Sequence, residues 1–501
     1  MASLQSIKTW DLELDVAVVG FGVAGCVAAV EAVETRPGAK VAIFEKATEA
    51  RCGGNSRVSG QALWIARPDQ LEAVVAYQRR LNQPNPISED LLRTWAEALV
   101  ELEPWIQAKA AQVGGDYSEG MGWTDLKTIV EFPELGAEEA IAYNSTIKPN
   151  PSGVWRTFRD HVLRRPEIVV NYESPAIDLI QDPDTGEVFG LIVEQNGRRL
   201  AVRARGGVIM ACGGYEANAE MHRNYWGADQ ILPLGSPANT GDGVRMLQKA
   251  GAKLWHMRNF TQSSGNWPAI KVDGYDAAFL RAVVMPDGGW MEIGADGKRF
   301  YDEGYHHRLR HYHQDENGRW QDAPHWRTLP VHMIFDETTR RAGPIITSLM
   351  TWNTVVEGYE WSADNSAEVE RGWIVKADTI EELARLIGRP PAALAEALAA
   401  YNAAAQGELA CPFGRDPASM RPLQGPFYAA ELVPGIICST GGGERNGKAQ
   451  VIGQDEAPIA GLYEAGELGS IFSNLYQNGA FLTEAMIFGR IAGREAVARS
   501  S

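Results

Sequence analysis

Three groups of residues have the types and spacing to carry chemistry. The first is Gly20-Phe21-Gly22-Val23-Ala24-Gly25, with an acidic residue, Glu45, 20 positions beyond the last glycine. In such a G-x-G-x-x-G run the first glycine permits a tight turn and the second lets backbone approach a pyrophosphate. The third lets a helix pack closely on a strand, and the helix N-terminus offers its positive dipole to phosphate. A carboxylate at the position of Glu45 accepts hydrogen bonds from ribose hydroxyls. The second group, Cys52-Gly53-Gly54-Asn55-Ser56-Arg57-Val58-Ser59-Gly60, is small, polar and glycine-rich, suited to close approach by a flat ring system. The third is Tyr305-His306-His307-Arg308-Leu309-Arg310-His311-Tyr312-His313, which holds four of the nine histidines. His307 and His311 stand four apart but lack the H-E-x-x-H context, so no metal is expected there; a polar face suits the run better.

These groups need elements to hold them. Leu14–Val19 is a β-branched apolar run that reads as a buried parallel strand, followed by a helix from Cys26 to about Glu34 and a second strand, Lys40–Phe44. Strand, glycine turn, helix, strand and acidic residue in one βαβ unit point to dinucleotide binding, and the Cys52–Gly60 loop favours FAD over NAD. Farther along, Asp182-Pro183-Asp184-Thr185-Gly186 reads as a hairpin turn. Asp378-Thr379-Ile380-Glu381 reads as a capped helix start, and Pro391–Ala405 as a helix with proline in its first turn.

Composition narrows the function class. The chain has 501 residues, 45% hydrophobic and 22% charged, with 47 Lys plus Arg against 64 Asp plus Glu, a formal charge of −17. That balance opposes nucleic-acid or anionic-membrane binding, which need clustered positive charge. No apolar run approaches the roughly 20 residues of a membrane span. No secretion signal is read at Met1–Leu12, and the five scattered cysteines form no C-x-x-C pair, so a reduced cytoplasmic setting is the expectation. Fifteen tryptophans, among them Trp64, Trp123, Trp155 and Trp290, would suit an apolar cyclic ligand or simply fill a core.

Taken in order, the motifs resemble the flavoprotein family of soluble fumarate reductases and 3-ketosteroid dehydrogenases, closer to the ketone dehydrogenases. The resemblance runs through Gly20-x-Gly22-x-x-Gly25 with Glu45, Gly53-Gly54-Asn55-Ser56-x-x-Ser59-Gly60, Ala211-Cys212-Gly213-Gly214 and Asn239-Thr240-Gly241-Asp242-Gly243. It continues in Gly297-Lys298-Arg299-Phe300-Tyr301-Asp302-Glu303, Thr440-Gly441-Gly442, Gly461-Leu462-Tyr463-Glu464-Ala465-Gly466-Glu467 and Phe488–Arg494.

The resemblance implies an α/β fold, a doubly wound Rossmann-type FAD-binding domain with an inserted α+β capping domain. The boundaries expected are 1–262 and 425–501 for the discontinuous FAD-binding domain and 263–424 for the capping, substrate-binding domain. It implies non-covalent FAD, since no histidine lies in 52–60. Implied cofactor contacts are Gly20, Gly22, Ala24, Gly25, Glu45, Lys46, Gly54, Asn55, Ser56, Ser59 and Gly60, then Ala176, Gly213, Gly214, Thr240, Asp242, Glu467 and Gly479.

For the reaction, the resemblance implies hydride transfer at one carbon and proton transfer at its neighbour. Where fumarate-reducing relatives carry an acid Arg, a carboxylate-binding His and a second Arg, this chain has His307 (with Arg308 next to it), Cys438 and Gln477. A glutamine cannot supply the guanidinium fork that grips a carboxylate. Ketosteroid relatives instead place a tyrosine and a glycine amide in the loop held here by Tyr476-Gln477-Asn478-Gly479. Tyr476 and the Gly479 amide are therefore expected to polarise a ketone, with Tyr305, His307 or Tyr312 as base. The expected reaction is α,β-desaturation of a small apolar cyclic ketone, 3-ketosteroid-like or cyclohexanone-like, with an external electron acceptor. The alternatives are a carboxylate desaturase or reductase using Arg308 or Arg445, and a flavin carrier without turnover, which the motif at 297–303 disfavours.

Overall fold

The structure is a computed structural model. It describes residues 1–121, 126–227, 231–260, 267–282, 285, 288–304, 313–314, 320–321, 329–347, 349–350 and 352–500. The chain divides into two compact units, one of Met1–Trp226, Gly235–Thr261 and Cys438–Ser501, the other of Gly227–Leu234 and Gln262–Ile437. The second unit therefore reaches past 424 to Ile437 and takes in 227–234. The cause is the strand Phe427–Ile436, which pairs with Leu232–Pro233, Trp267–Ile270, Val331–Asp336 and Ile374–Ala377 and so belongs to that unit's sheet.

In the first unit, Leu12–Val19 lies between Val41–Phe44 and the long strand Arg198–Met210, parallel to both. Ile168–Asn171 extends the sheet beyond Val41–Phe44. Val16, Ala17 and Val18 are fully buried, as a β-branched run covered on both faces requires. The strand Arg198–Met210 serves two neighbours in turn. Its first part runs antiparallel to Val188–Gln195, and its last residues run parallel to Pro458–Glu464. The hairpin read at 182–186 joins Ala176–Gln181 to Val188–Gln195, with Asp184 N donating to Asp182 Oδ1 at 2.9 Å.

Helix Val23–Thr35 follows the glycine turn, and helix Ala480–Arg499 packs along it. A Cβ at Gly489 would stand 2.7 Å from Ala24 O, and one at Gly493 2.4 Å from Ala28 O, so these glycines set the closeness of the two helices. No described helix is long and apolar enough to cross a membrane.

The second unit is a mixed sheet centred on Phe427–Ile436 with apolar residues on both faces. Ile293, Ile334 and Ala429 pack with Leu383, Leu394 and Tyr401 of helices Ile380–Leu386 and Pro391–Ala405. Met333, Phe335, Tyr428 and Leu432 pack with Phe279, Trp290 and Tyr359. Thr379 caps its helix as read, its hydroxyl accepting from Glu382 N at 3.2 Å.

Candidate functional site

The glycine turn is bare because nothing larger fits. Gly20 has φ +103, and a Cβ there would stand 2.4 Å from Ala211 O; at Gly25 it would stand 2.1 Å from Gly20 O. Gly22 caps the helix, and Ser56 Oγ accepts from Val23 N at 3.2 Å, tying the second glycine loop to the first. Ala24 is buried in the helix's first turn. Trp155 braces both loops: its indole N–H donates to Phe21 O at 2.9 Å, and its ring leaves no room for a Cβ at Gly53.

Glu45 sits at the end of its strand as expected, with Oε2 accepting from Phe21 N at 2.9 Å and Oε1 from Ala47 N at 2.8 Å. A carboxylate has about four lone-pair sites, so both oxygens keep capacity for ribose hydroxyls. Burial raises the Glu45 pKa, and the Ala47 and Phe21 amides pull it back. Lys46, Thr240 and Asp242 come together: Lys46 Nζ donates to Thr240 Oγ1 and to Asp242 Oδ2, each at 2.7 Å.

Asn55 lies in the short helix Gly54–Val58. Its side-chain oxygen accepts from Ser236 N at 2.8 Å, and its amide donates to Glu467 at 3.2 Å. Ser59 Oγ accepts from Gln61 at 3.0 Å, just before Gly60, and Ala176 begins its strand, buried. A side chain at Gly213 would meet Asn239. At Gly214 it would stand 1.9 Å from Ser439 Oγ and 2.5 Å from Glu216 Oε1. Protein packing is thus a sufficient reason for glycine at 213 and 214. A turn that tolerates only bare backbone, a helix N-terminus, Glu45 at the strand end, and polar Asn55 and Glu467 form a donor set that fits FAD.

The C-terminal loop brings Tyr476 and Gly479 together: Gly479 N–H donates to the Tyr476 hydroxyl oxygen at 3.2 Å. Gly479 has φ +85, and a Cβ would stand 2.8 Å from Trp64 N. Tyr476 is buried and stacked on Phe481 at 4.4 Å. Burial, and then the Cys438 and Glu131 charges, push its pKa upward, so the phenol stays protonated.

Gln477 is fully buried, accepting from Tyr77 at 2.7 Å and donating to Ile129 O at 2.8 Å. Arg445 is buried against Glu484 and over the Phe488 ring at 4.3 Å, an internal ion pair and a correction to its reading as a carboxylate binder. Tyr305, His307, Arg308 and Tyr312 lie outside the described residues, as does Trp123. Trp64, Trp155 and Trp290 are core fillers, not a ligand surface.

Sequence reasoning missed Glu216 and Ser439 and saw Cys438 only as a departure. The Cys438 thiol donates to Glu467 Oε1 at 2.7 Å, and the Ser439 hydroxyl to Glu216 Oε1 at 2.7 Å. No local pattern marks a buried glutamate in a glycine loop; only the tertiary approach of 438–439 to it does.

Residues 15–481 match the family described as FAD binding domain, and the chain belongs to it. By class it is a flavoprotein oxidoreductase, and its cofactor is FAD. The chain is 31% identical to an NADH:acrylate oxidoreductase of Vibrio harveyi over 81% of its own length but only 37% of that protein's. It is 26% identical to a 4-oxocyclohex-2-ene-1-carboxylate 5-dehydrogenase of Sinomonas cyclohexanicum, covering 96% of this chain and 93% of that one. Its fold is similar to that of a 3-ketosteroid delta1-dehydrogenase from Sterolibacterium denitrificans, with TM-score 0.74, 21% identity and coverage of 97% and 99%.

Proposed function

We propose that this protein desaturates a cyclic ketone between its α and β carbons, with the Tyr476–Gly479 relay as the group that polarises the carbonyl. The observation that carries this reading is the Gly479 N–H donated into the Tyr476 oxygen at 3.2 Å. A phenol that accepts a hydrogen bond while donating its own proton is a better donor, because the accepted bond stabilises charge gathering on its oxygen. Burial keeps that phenol protonated, so Tyr476 serves as donor and not as base. The α-proton then goes to a base, for which Tyr305, His307 and Tyr312 are the candidates.

FAD, when bound, supplies the acceptor for the β-hydride. The residues that would hold it are the 20–25 turn with Ala24 and Gly25, Glu45, Lys46, Gly54, Asn55, Ser56, Ser59, Gly60, Ala176, Gly213, Gly214, Thr240, Asp242 and Glu467. The substrate class is a ketosteroid or an oxocyclohexane, in line with the named activity of the Sinomonas relative.

A carboxylate substrate is the second reading, favoured by the Vibrio relative's name. Arg445 is spent on Glu484, which leaves Arg308 to serve it. Anaerobic mixing of the yellow protein with ketones and with carboxylates decides between the two. Bleaching by ketones alone supports the first, and bleaching by carboxylates alone overturns it. Tyr476→Phe should lower kcat by about 100- to 1000-fold with flavin content unchanged, the usual loss for one oxyanion donor. Turnover that survives the substitution removes Tyr476 from the role.

A further inference from the structure

Two carboxylates in the first unit lack the cations that buried carboxylates ordinarily require. Glu216, in the loop after Arg198–Met210, is 1% exposed. Its Oε1 accepts from both the Ser439 hydroxyl, at 2.7 Å, and the Ser439 amide. Its Oε2 is buried and meets no described donor in good hydrogen-bond geometry, with the neutral Asn239 amide its near neighbour. Glu467, partly exposed, accepts from the Cys438 thiol at 2.7 Å and from the Asn55 amide at 3.2 Å at each oxygen. Consecutive residues, Cys438 and Ser439, thus donate one to each carboxylate. Among the described residues neither glutamate forms an ion pair.

The described groups packed against the pair are neutral or acidic. Helix Gly54–Val58 presents Asn55, and the segment after 234 presents Ser236 and Asn239; all are neutral. Tyr215 N donates to Ser439 Oγ at 2.9 Å, and His222 Nε2 is engaged by Tyr215 O at 2.9 Å. Helix Ala480–Arg499 presents a third carboxylate, Glu484, which already holds Arg445, Ser470 Oγ at 2.6 Å and the Ile471 amide at 2.8 Å. Glu464, accepting from Gly443 N at 3.1 Å, lies in turn beside Glu484 and Arg445. Two full negative charges held by neutral donors beside further carboxylates would be very costly in a dry interior, whereas a shared proton removes one charge and gives an orphan oxygen a hydrogen.

We infer that Glu216 and Glu467 hold one proton between them across Cys438 and Ser439, and that the cluster takes up a second from solvent when an electron pair arrives on the neighbouring cofactor. This rests on the reading that Asn55 and Glu467 face the flavin. The balance is simple: a hydronium ion gives a proton to a carboxylate oxygen, nothing in the cluster is oxidised or reduced, and the added negative charge is neutralised where it arrives. Glu467, open on one side, is the exchange point, and Glu216, sealed in, sets how readily its partner keeps the proton. The pair titrates as a unit. The direction of both carboxyls is upward: burial is the first cause for each, and the Glu216 charge adds to Glu467, which is pushed up to about 8. Glu216 is thereby a positioning residue, acting on the redox centre through Glu467.

The test uses wild-type holoenzyme and Glu216→Gln, which keeps the shape and the acceptor for Ser439 but cannot share a proton. Both are reduced anaerobically in weakly buffered solution containing a pH indicator, and reduced-minus-oxidised infrared difference spectra are recorded. Wild type is expected to take up one more proton per electron pair than Glu216→Gln around neutral pH. It should also show a protonated-carboxyl band on reduction, weakened in Glu216→Gln and shifted by deuterium oxide. A wild-type difference spectrum with no carboxyl band overturns the inference whether or not the variant folds. So does an equal proton count in a variant that folds and binds flavin. Ketone bleaching that persists in either case leaves the proposed function standing. A purified wild type that binds no flavin overturns the reading beneath the inference and the inference with it.

Discussion

Glu303 in the second unit and Glu216 in the first are both removed from solvent, 2% and 1% exposed, yet the chain treats them in opposite ways. Glu303 is gripped from two sides: Arg299 donates at 3.1 and 2.9 Å, and Arg415 at 3.0 Å. Burial raises its pKa, and the two guanidiniums pull it back down. Arg415 also lies over the Trp290 ring at 3.9 Å and donates to Trp290 O at 2.8 Å, so its planar fork is fully used. Nearby, Glu292 pairs with Arg281 at 3.0 Å and takes the Tyr301 hydroxyl at 2.5 Å. Among the described residues, Glu216 and Glu467 receive only neutral donors. A carboxylate matched by cations is held in its charged form. One matched by a thiol, a hydroxyl and an amide keeps its proton within reach and can answer a change of charge next to it. The motif at 297–303 that marks the second unit in the sequence is, on this comparison, a structural clamp.

The contrast can be broken by removing a cation. Arg415→Met should cost about 3–5 kcal/mol of stability, the usual loss when one partner of a buried pair goes, read by chemical denaturation. A loss under about 1 kcal/mol would mean that Glu303 does not need its second arginine.

The first unit should instead reveal itself in pH. Glu467 has its pKa raised from 4.5 to about 8, so between those values the native state holds a proton that the unfolded chain has released. Stability therefore falls as pH rises through that window, and Glu467→Gln should flatten the fall. It should not abolish it, because Glu464 is likewise pushed by burial to about 8. Denaturation midpoints at pH 5 and pH 8 check the sign, and a wild type that gains stability on going to pH 8 would reverse the comparison.

Glu216→Gln should be milder than the loss of Arg415. It replaces one member of a one-proton carboxyl pair with a neutral acceptor of the same shape and should change stability near pH 6 by about 1 kcal/mol. Thr379→Ala, a helix cap far in sequence from both clusters, gives the lower end of the scale at about 1 kcal/mol or less. If Glu216→Gln proves as damaging as Arg415→Met, the distinction between clamp and proton holder fails.

Much of the first unit was legible because its chemistry is local. The βαβ unit and the hairpin at 182–186, like the helices capped at Thr379 and begun at Pro391 in the second unit, are specified by turn residues, caps and apolar runs read over a few positions. The glycine turn was legible for the same reason. The boundary of the second unit was less so, because Phe427–Ile436 is assigned by the strands it pairs with, and those come from 232, 267, 331 and 374. The site divides in the same way. Glu45, Asn55 and Glu467 lie in spaced motifs. Glu216 acquires its meaning from a loop more than 200 residues away, and the partnership of Gly479 with Tyr476 depends on how a tight loop folds back. Arg445 shows the converse: its type suggested a substrate anion, and only burial beside Glu484 shows where its charge is used.

Gly489 and Gly493, which let helix Ala480–Arg499 lie against helix Val23–Thr35, have a consequence for the order of synthesis. The helix that follows the dinucleotide turn leaves the ribosome long before the helix that covers it. Residues 262–437 form most of the second unit and emerge as one run, so that unit can fold while translation continues. The cofactor-binding unit waits with an apolar helix face uncovered until residues 480–499 arrive, and in that interval the nascent chain most needs a chaperone's shelter.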